Sequence, residues 1–263
     1  MNNINFKELL QFFSKNQNQL ADLCSNIFTM REIGNKTHGD MAEIAVTAFI
    51  NKFLSDKYTG LHVGKALFRQ KSKEEDVLAI NNETEEEIPI SIKAYGEGNL
   101  QLSTDKDYII FPMLESYKKD IIIDKEEINN IINIINSILD LNVLLFIYNE
   151  KKYICNVMIY DFDLVKSQIN KIEKVLPKGA RKYPIYKFMH NNDYLFEVRY
   201  GGKNANALQR GVWTHTKNAY PYFISVSNGE IKYQVRKNLL EIISYLMIAT
   251  NDQINKIKGE CND

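Results

Sequence analysis

The chain has 263 residues, 44% of them hydrophobic, enough to bury a proper interior as one large domain or as a core with a recognition subdomain. Its 33 basic and 33 acidic side chains cancel, which excludes a protein that coats nucleic acid indiscriminately and confines any such affinity to local patches. No stretch approaches about eighteen apolar residues, and the opening MNNINFKELL has no positive region followed by a hydrophobic one, so neither a membrane span nor a secretory signal is expected and the cytoplasm is the default location. Cys24, Cys155 and Cys261 are odd in number and widely spaced, a pattern for reduced thiols rather than a disulfide framework or a zinc cluster.

In chain order, residues 5 to 30 and 40 to 55 read as helices. Gly39-Asp40 opens the second, with Ile44, Phe49, Ile50 and Phe53 as its core stripe and Glu43 in its first turn, where the macrodipole favours an acid. Residues 60 to 69, 76 to 80 and 88 to 95 read as strands of one sheet, and in NLQLSTDK the side chains of Gln101 and Ser103 alternate with Leu100 and Leu102 to make a polar face. Isoleucines three and four apart with asparagines opposite predict an amphipathic helix from 124 to 139, and VLLFIY and YICNVMIY flank the polar turn Asn149-Glu150-Lys151 as a hairpin. A helix is expected over 162 to 175, and Pro177-Lys178-Gly179 then marks a boundary. Strands at 194 to 200, 221 to 227 and 231 to 235, a helix from Lys237 to about Thr250 and a frayed polar tail complete the chain. The fold class is α/β: a mixed central β-sheet flanked by helices over residues 1 to 176, and a C-terminal α+β part over 177 to 263, unless the two form one continuous domain.

The chemistry concentrates between Asp76 and Lys93. In IPISIK, Ile90 and Ile92 take one face of a strand while Ser91 and Lys93 take the other, and Asp76 stands near the start of the strand before it. A carboxylate there suits a hard cation such as Mg²⁺, and an ammonium beside it would orient a water or neutralise charge developing on phosphorus. The alternative is a solvated edge-strand lysine and a turn aspartate. A second concentration is RYGGKNANALQRGVWTHT, residues 199 to 216. A strand turning through Gly201-Gly202 into a helix near Ala205 would aim backbone N–H groups at a phosphate, with Lys203 and Arg210 adding charge. Asn204, Asn206, Gln209 and Arg210 are of the types that read base edges, and His215 and Trp213 close the motif as DNA contacts or as ordinary loop and core residues. Lys65, Arg69, Gln101, Ser103 and Lys106 form a smaller polar set that would hold a phosphate near Lys93, and Lys166, Lys171, Lys174, Lys178, Arg181, Lys182 and Lys187 make a basic tract.

HGDMAEIAVTAFI, HVGKALFRQKSKEED, ISIKAYGEGNLQLSTDKD and YGGKNANALQRGVWTHT together resemble a type II restriction endonuclease of the PD-(D/E)xK superfamily, over residues 37 to 216 or so. The resemblance implies a restriction-endonuclease-like core, with Asp76 as the first metal-holding acid and Lys93 as the catalytic lysine beside it. It departs from the pattern at Ser91, which stands where the second acid belongs and supplies no charge. Because one carboxylate holds a divalent cation poorly, a second is expected. Helices before the nuclease sheet bring a glutamate to the metal in this superfamily, which makes Glu43 the better candidate ligand, ahead of Glu97 in the turn-like YGEG. The activity that the resemblance implies is hydrolysis of double-stranded DNA at specific sequences with Mg²⁺, or Mn²⁺ in its place, by a homodimer paired with a cognate DNA methyltransferase and with no membrane partner. The alternatives are a structure-directed or repair nuclease, and a non-catalytic DNA-binding protein whose metal site is degenerate at Ser91.

Overall fold

In a computed structural model of the chain, the described residues are 3–30, 37–63, 75–105, 107–138, 142–202, 205, 209–232 and 236–260. The chain begins with helices α1 (Asn3–Lys15), α2 (Gln17–Met30) and α3 (Thr37–Phe53). Strands β1 (Tyr58–His62), β2 (Val77–Asn81), β3 (Glu87–Gly96) and β4 (Asn99–Ser103) follow, then α4 (Ile110–Ser116), β5 (Ile121–Ile122) and α5 (Lys125–Ile138). The hairpin β6 (Val143–Asn149) and β7 (Ile154–Tyr160) leads to α6 (Phe162–Gln168), β8 (Lys171–Val175), β9 (Ile185–His190), β10 (Asp193–Arg199) and β11 (Gly211–His215). The short α7 (Thr216–Ala219), β12 (Phe223–Glu230), α8 (Arg236–Ile248) and α9 (Asn251–Glu260) end it.

The strands form two six-stranded sheets. The first, ordered β1-β2-β3-β6-β7-β12, is antiparallel except for the parallel pair β3 and β6, so it is mixed. A parallel pair needs a long crossover, and the chain from β4 to α5 supplies it. The second, ordered β4-β11-β10-β9-β8-β5, is antiparallel throughout.

The first sheet is a shared wall between two hydrophobic cores. In the run Val143 to Ile147, Leu144 and Phe146 pack with α1, α2 and α3, while Val143, Leu145 and Ile147 pack with α4, α5, α6 and the inner face of the second sheet. A strand covered on both faces loses the apolar and polar alternation of a one-sided sheet, and this is why VLLFI reads as a continuous apolar run. Gly60 allows the close approach of β1 to α3, because a Cβ there would lie 3.0 Å from the Thr47 carbonyl and 3.1 Å from Ile50 Cβ.

Several expected elements differ. The N-terminal helix is interrupted at Asn16, whose Nδ2 donates to the Phe12 carbonyl at 3.0 Å while its own carbonyl accepts from Leu20 N–H at 3.0 Å to start α2. The helix expected over 162 to 175 stops at Gln168: Asp161 caps its start by accepting from Leu164 N–H, and Ile169 turns extended into β8. The tail expected to fray is the helix α9. The core stripe of α3 is Ala42, Val46, Phe49 and Ile50, while Ile44 and Phe53 are exposed and line an apolar cavity between α2, α3 and α8. Across residue 177, β4 pairs with β11 and β8 with β9, and β12 returns to the first sheet beside β7. Cys24 and Cys155 are buried free thiols, and burial first, then the adjacent Cys24, pushes the Cys155 pKa up. Cys261 and residues 233 to 235 lie outside the described residues. Among the described residues no helix is long and apolar enough to cross a membrane.

The seam between β11 and β4 gives a stability prediction. Gly211 has φ +98°, and a Cβ on it would sit 2.0 Å from the Ser103 carbonyl oxygen, backbone that cannot move aside without breaking the pairing of Val212 with Ser103. Gly211→Ala is expected to lower the unfolding free energy by about 2–4 kcal/mol in urea titration.

Candidate active site on strands β2 and β3

Asp76 directly precedes β2, and the ends of three strands meet on it. Its carbonyl accepts from Val63 N–H at 2.9 Å just past β1, and its own N–H donates to the Ile90 carbonyl of β3 at 2.9 Å. Its carboxylate Oδ2 accepts the N–H of Ile92 at 2.8 Å and the hydroxyl of Ser91 at 3.3 Å. The side chain thus takes the place of a strand carbonyl where the β2 ladder ends. Lys93 Nζ lies 4.0 Å from the same Oδ2, with a side chain 23% exposed against 8% for Asp76.

These positions obey elementary electrostatics. A carboxylate withdrawn from water is strongly destabilised unless hydrogen-bonded and paired, and Asp76 has both forms of compensation. Ser91, standing where the resemblance calls for an acid, donates to Asp76 and adds no charge. The register places Ser91 and Lys93 on one face of β3. It places Ile90, Val77 and His62 on the other, toward α3. Glu43 on α3 is bound there to His62, Oε2 to Nε2 at 3.0 Å. The structure therefore unites Asp76, Ser91 and Lys93, and holds Glu43 to His62 on the helix side. Glu75, next to Asp76 in the chain, is a buried carboxylate as well, and Glu74 lies outside the described residues. Among the described residues no group of three or more His, Cys, Asp and Glu side chains is placed to hold a metal ion.

The residues expected to contact DNA divide sharply. Lys65, Arg69, Lys106, Lys203, Asn204 and Asn206 lie outside the described residues. Gln101 and Ser103 do not form an exposed polar face: β4 is covered on both faces, and Gln101 Nε2 donates to the Arg210 carbonyl at 2.7 Å. Arg210 is engaged within its own loop, donating to the Ala205 carbonyl at 3.0 Å and to the Tyr108 hydroxyl, with its guanidinium 4.0 Å from the Tyr108 ring centroid. Beyond Gln209 the motif becomes β11, antiparallel to β10. Trp213 is half-buried under the guanidinium of Arg199, and His215 Nδ1 accepts from Lys217 N–H at 3.2 Å. Much of the basic tract is matched by acids, Lys166 by Asp163, Lys171 by Glu173 at 2.8 Å and Lys174 by Glu115 at 2.9 Å, so the tract is less positive than its composition. Glu97 is exposed in the bend between β3 and β4. No family model, curated protein or solved structure matches the chain.

The Asp76 carboxylate has a structural duty that its substitutions separate from its charge. Asp76→Ala leaves the Ile92 N–H without its acceptor and Lys93 without this partner, an expected loss of about 2–3 kcal/mol in denaturant unfolding. Asp76→Asn keeps an oxygen acceptor for Ile92 N–H and is expected to lose about 1 kcal/mol, which makes it the cleaner probe of chemistry.

Proposed function

We propose that the chain is a Mg²⁺-dependent, sequence-specific endonuclease for double-stranded DNA, a type II restriction enzyme with a restriction-endonuclease-like core. The single observation supporting this is the 4.0 Å approach of the Lys93 ammonium to the Asp76 carboxylate, with Lys93 still open to solvent. The ammonium keeps its access to solvent and so is able to meet a phosphate. The mixed sheet that carries both residues agrees with the core that the resemblance implies.

The oxygen donors of Asp76 and Ser91 suit a hard cation, and Mg²⁺ asks for only one or two carboxylates because it keeps waters and takes substrate phosphate oxygens as ligands. When bound it would polarise the phosphoryl oxygen and lower the pKa of a water. Asp76 would hold it, and Glu75 is the acid next to it in the chain. Lys93 donates to a phosphoryl oxygen and stabilises the charge that grows there, or orients the attacking water in line with the leaving 3′ oxygen, leaving 5′-phosphate ends. The hydrogen bond from Ile92 N–H fixes the carboxylate against the ammonium before substrate arrives, which lowers the reorganisation needed in the transition state. A palindromic target would call for a two-fold dimer, and a host carrying such a cutter would need a companion DNA methyltransferase.

Incubating the protein with unmodified plasmid and Mg²⁺ is expected to give discrete bands. Lys93→Ala and Asp76→Asn are each expected to slow cleavage by at least about 10²-fold while gel-shift affinity for duplex DNA changes little. Cutting by Lys93→Ala at the wild-type rate contradicts the assignment. A smear or junction-only cutting favours a repair nuclease, and a gel shift with no cleavage in Mg²⁺ or Mn²⁺ favours a non-catalytic DNA-binding protein.

A further inference from the structure

A cavity lies between the 180–183 loop and the end of β10. Its volume is about 620 Å³, within the range of small-ligand sites, and among the described residues of its wall Arg181, Lys182 and Arg199 stand with one carboxylate, Glu197. That carboxylate is bound by Arg199 Nε. Arg181 donates through Nη2 to the Leu176 carbonyl at 2.6 Å, and its Nε–H is buried without an acceptor among the described residues. Held at that end by the Leu176 carbonyl, Arg181 keeps its remaining guanidinium N–H groups as donors on the cavity wall.

The opposite requirement, an apolar plane, is also present. Tyr183 is 37% exposed and is fixed from behind by edge contacts to Tyr200, 4.9 Å between centroids, and to Phe111 at 6.5 Å. Tyr200 in turn stacks on Phe111 at 4.3 Å, so the tyrosine presented to the cavity is anchored in the core. Gly202, at φ +100°, brings the backbone against the Tyr183 ring, where a Cβ would come within 3.2 Å. Gln209 adds an amide able to both donate and accept.

We propose that this cavity binds a single nucleotide unit, its phosphate held by Arg181, Lys182 and Arg199 and its base laid on Tyr183. Fixed cations paired with a rigid aromatic ring are the elements by which proteins hold one nucleotide of a strand, the ring accepting any base and Gln209 supplying an edge-reading group. The inference rests on the nuclease reading for its choice of partner. The unit would come from a DNA strand or from a free nucleotide, the chemistry being the same.

Trp213, the chain's one tryptophan, reports on the site because the Arg199 guanidinium lies 4.4 Å over its ring. Its fluorescence would be followed in EDTA, where cleavage at Asp76 and Lys93 plays no part, so failure of either reading leaves the other's result standing. Deoxynucleoside 5′-monophosphates are expected to give a saturable change, with inorganic phosphate weaker by at least about tenfold. Tyr183→Ala and Arg181→Ala are each expected to weaken nucleotide binding by about tenfold, while Tyr183→Phe, which keeps the ring and controls for folding, stays within about twofold of wild type. Tighter binding of a short single-stranded oligonucleotide supports a strand as the source, and equal binding supports the free nucleotide. The proposal is overturned by no saturable response to any nucleotide, by inorganic phosphate binding as well as nucleotides do, or by affinities that neither Tyr183→Ala nor Arg181→Ala changes.

Discussion

The hydrogen bond from Ile92 N–H to the Asp76 carboxylate is the constraint on which the site depends. It continues the ladder between β2 and β3 by a side chain after the β2 backbone has left it, and so fixes the charge at a strand end instead of in a loop. Because strand residues alternate in direction, fixing the carboxylate beside Ile92 also decides which neighbours meet it: Ser91 and Lys93. One backbone bond therefore sets the geometry of the acid, the hydroxyl and the ammonium. A carboxylate held this way is preorganised, and preorganised charge is what a phosphoryl transition state rewards.

The two-core architecture explains how such a site stays polar inside a large molecule. The first sheet separates helices α1 to α3 from the second sheet, so both faces of its central strands are dry. Polar side chains on those strands survive only where the cover ends or where partners satisfy them. Asp76 and Ser91 are of the second kind, and Lys93 reaches solvent. Glu43 finds its partner in His62 beneath the α3 face.

The sequence made the local pieces legible wherever one interaction dominated. The β6 and β7 hairpin, β2, β3 and α5 follow from apolar runs and periodicity, and alternation puts Ser91 and Lys93 on one face of β3, while the pairing of Lys93 with Asp76 was expected from the resemblance as well. The elements that escaped were set by distant chain. Gln101 and Ser103 alternate with leucines as a solvent-facing strand would, yet both are buried: β11, over a hundred residues away, pairs along β4, and Gln101 Nε2 donates to the Arg210 carbonyl just before it. Likewise KIEKV lengthens a helical pattern on paper but becomes β8, because β9 and β5 offer it pairing on both edges. Asn16 breaks the first helix through its own side chain, a competition that periodicity does not register. The cleft of Arg181, Tyr183 and Arg199 was invisible for a similar reason: its walls come from segments that sequence placed on a basic tract and in a separate motif.

The central claim is that Asp76 and Lys93 form one phosphate-facing, cation-holding site. Electron paramagnetic resonance of Mn²⁺ titrated into the wild-type protein and Asp76→Asn, each with duplex DNA, tests it most directly. Bound Mn²⁺ is predicted in the wild type, retained or strengthened by DNA, and its loss in Asp76→Asn with the fold intact. Equal Mn²⁺ binding by the two proteins would contradict the claim.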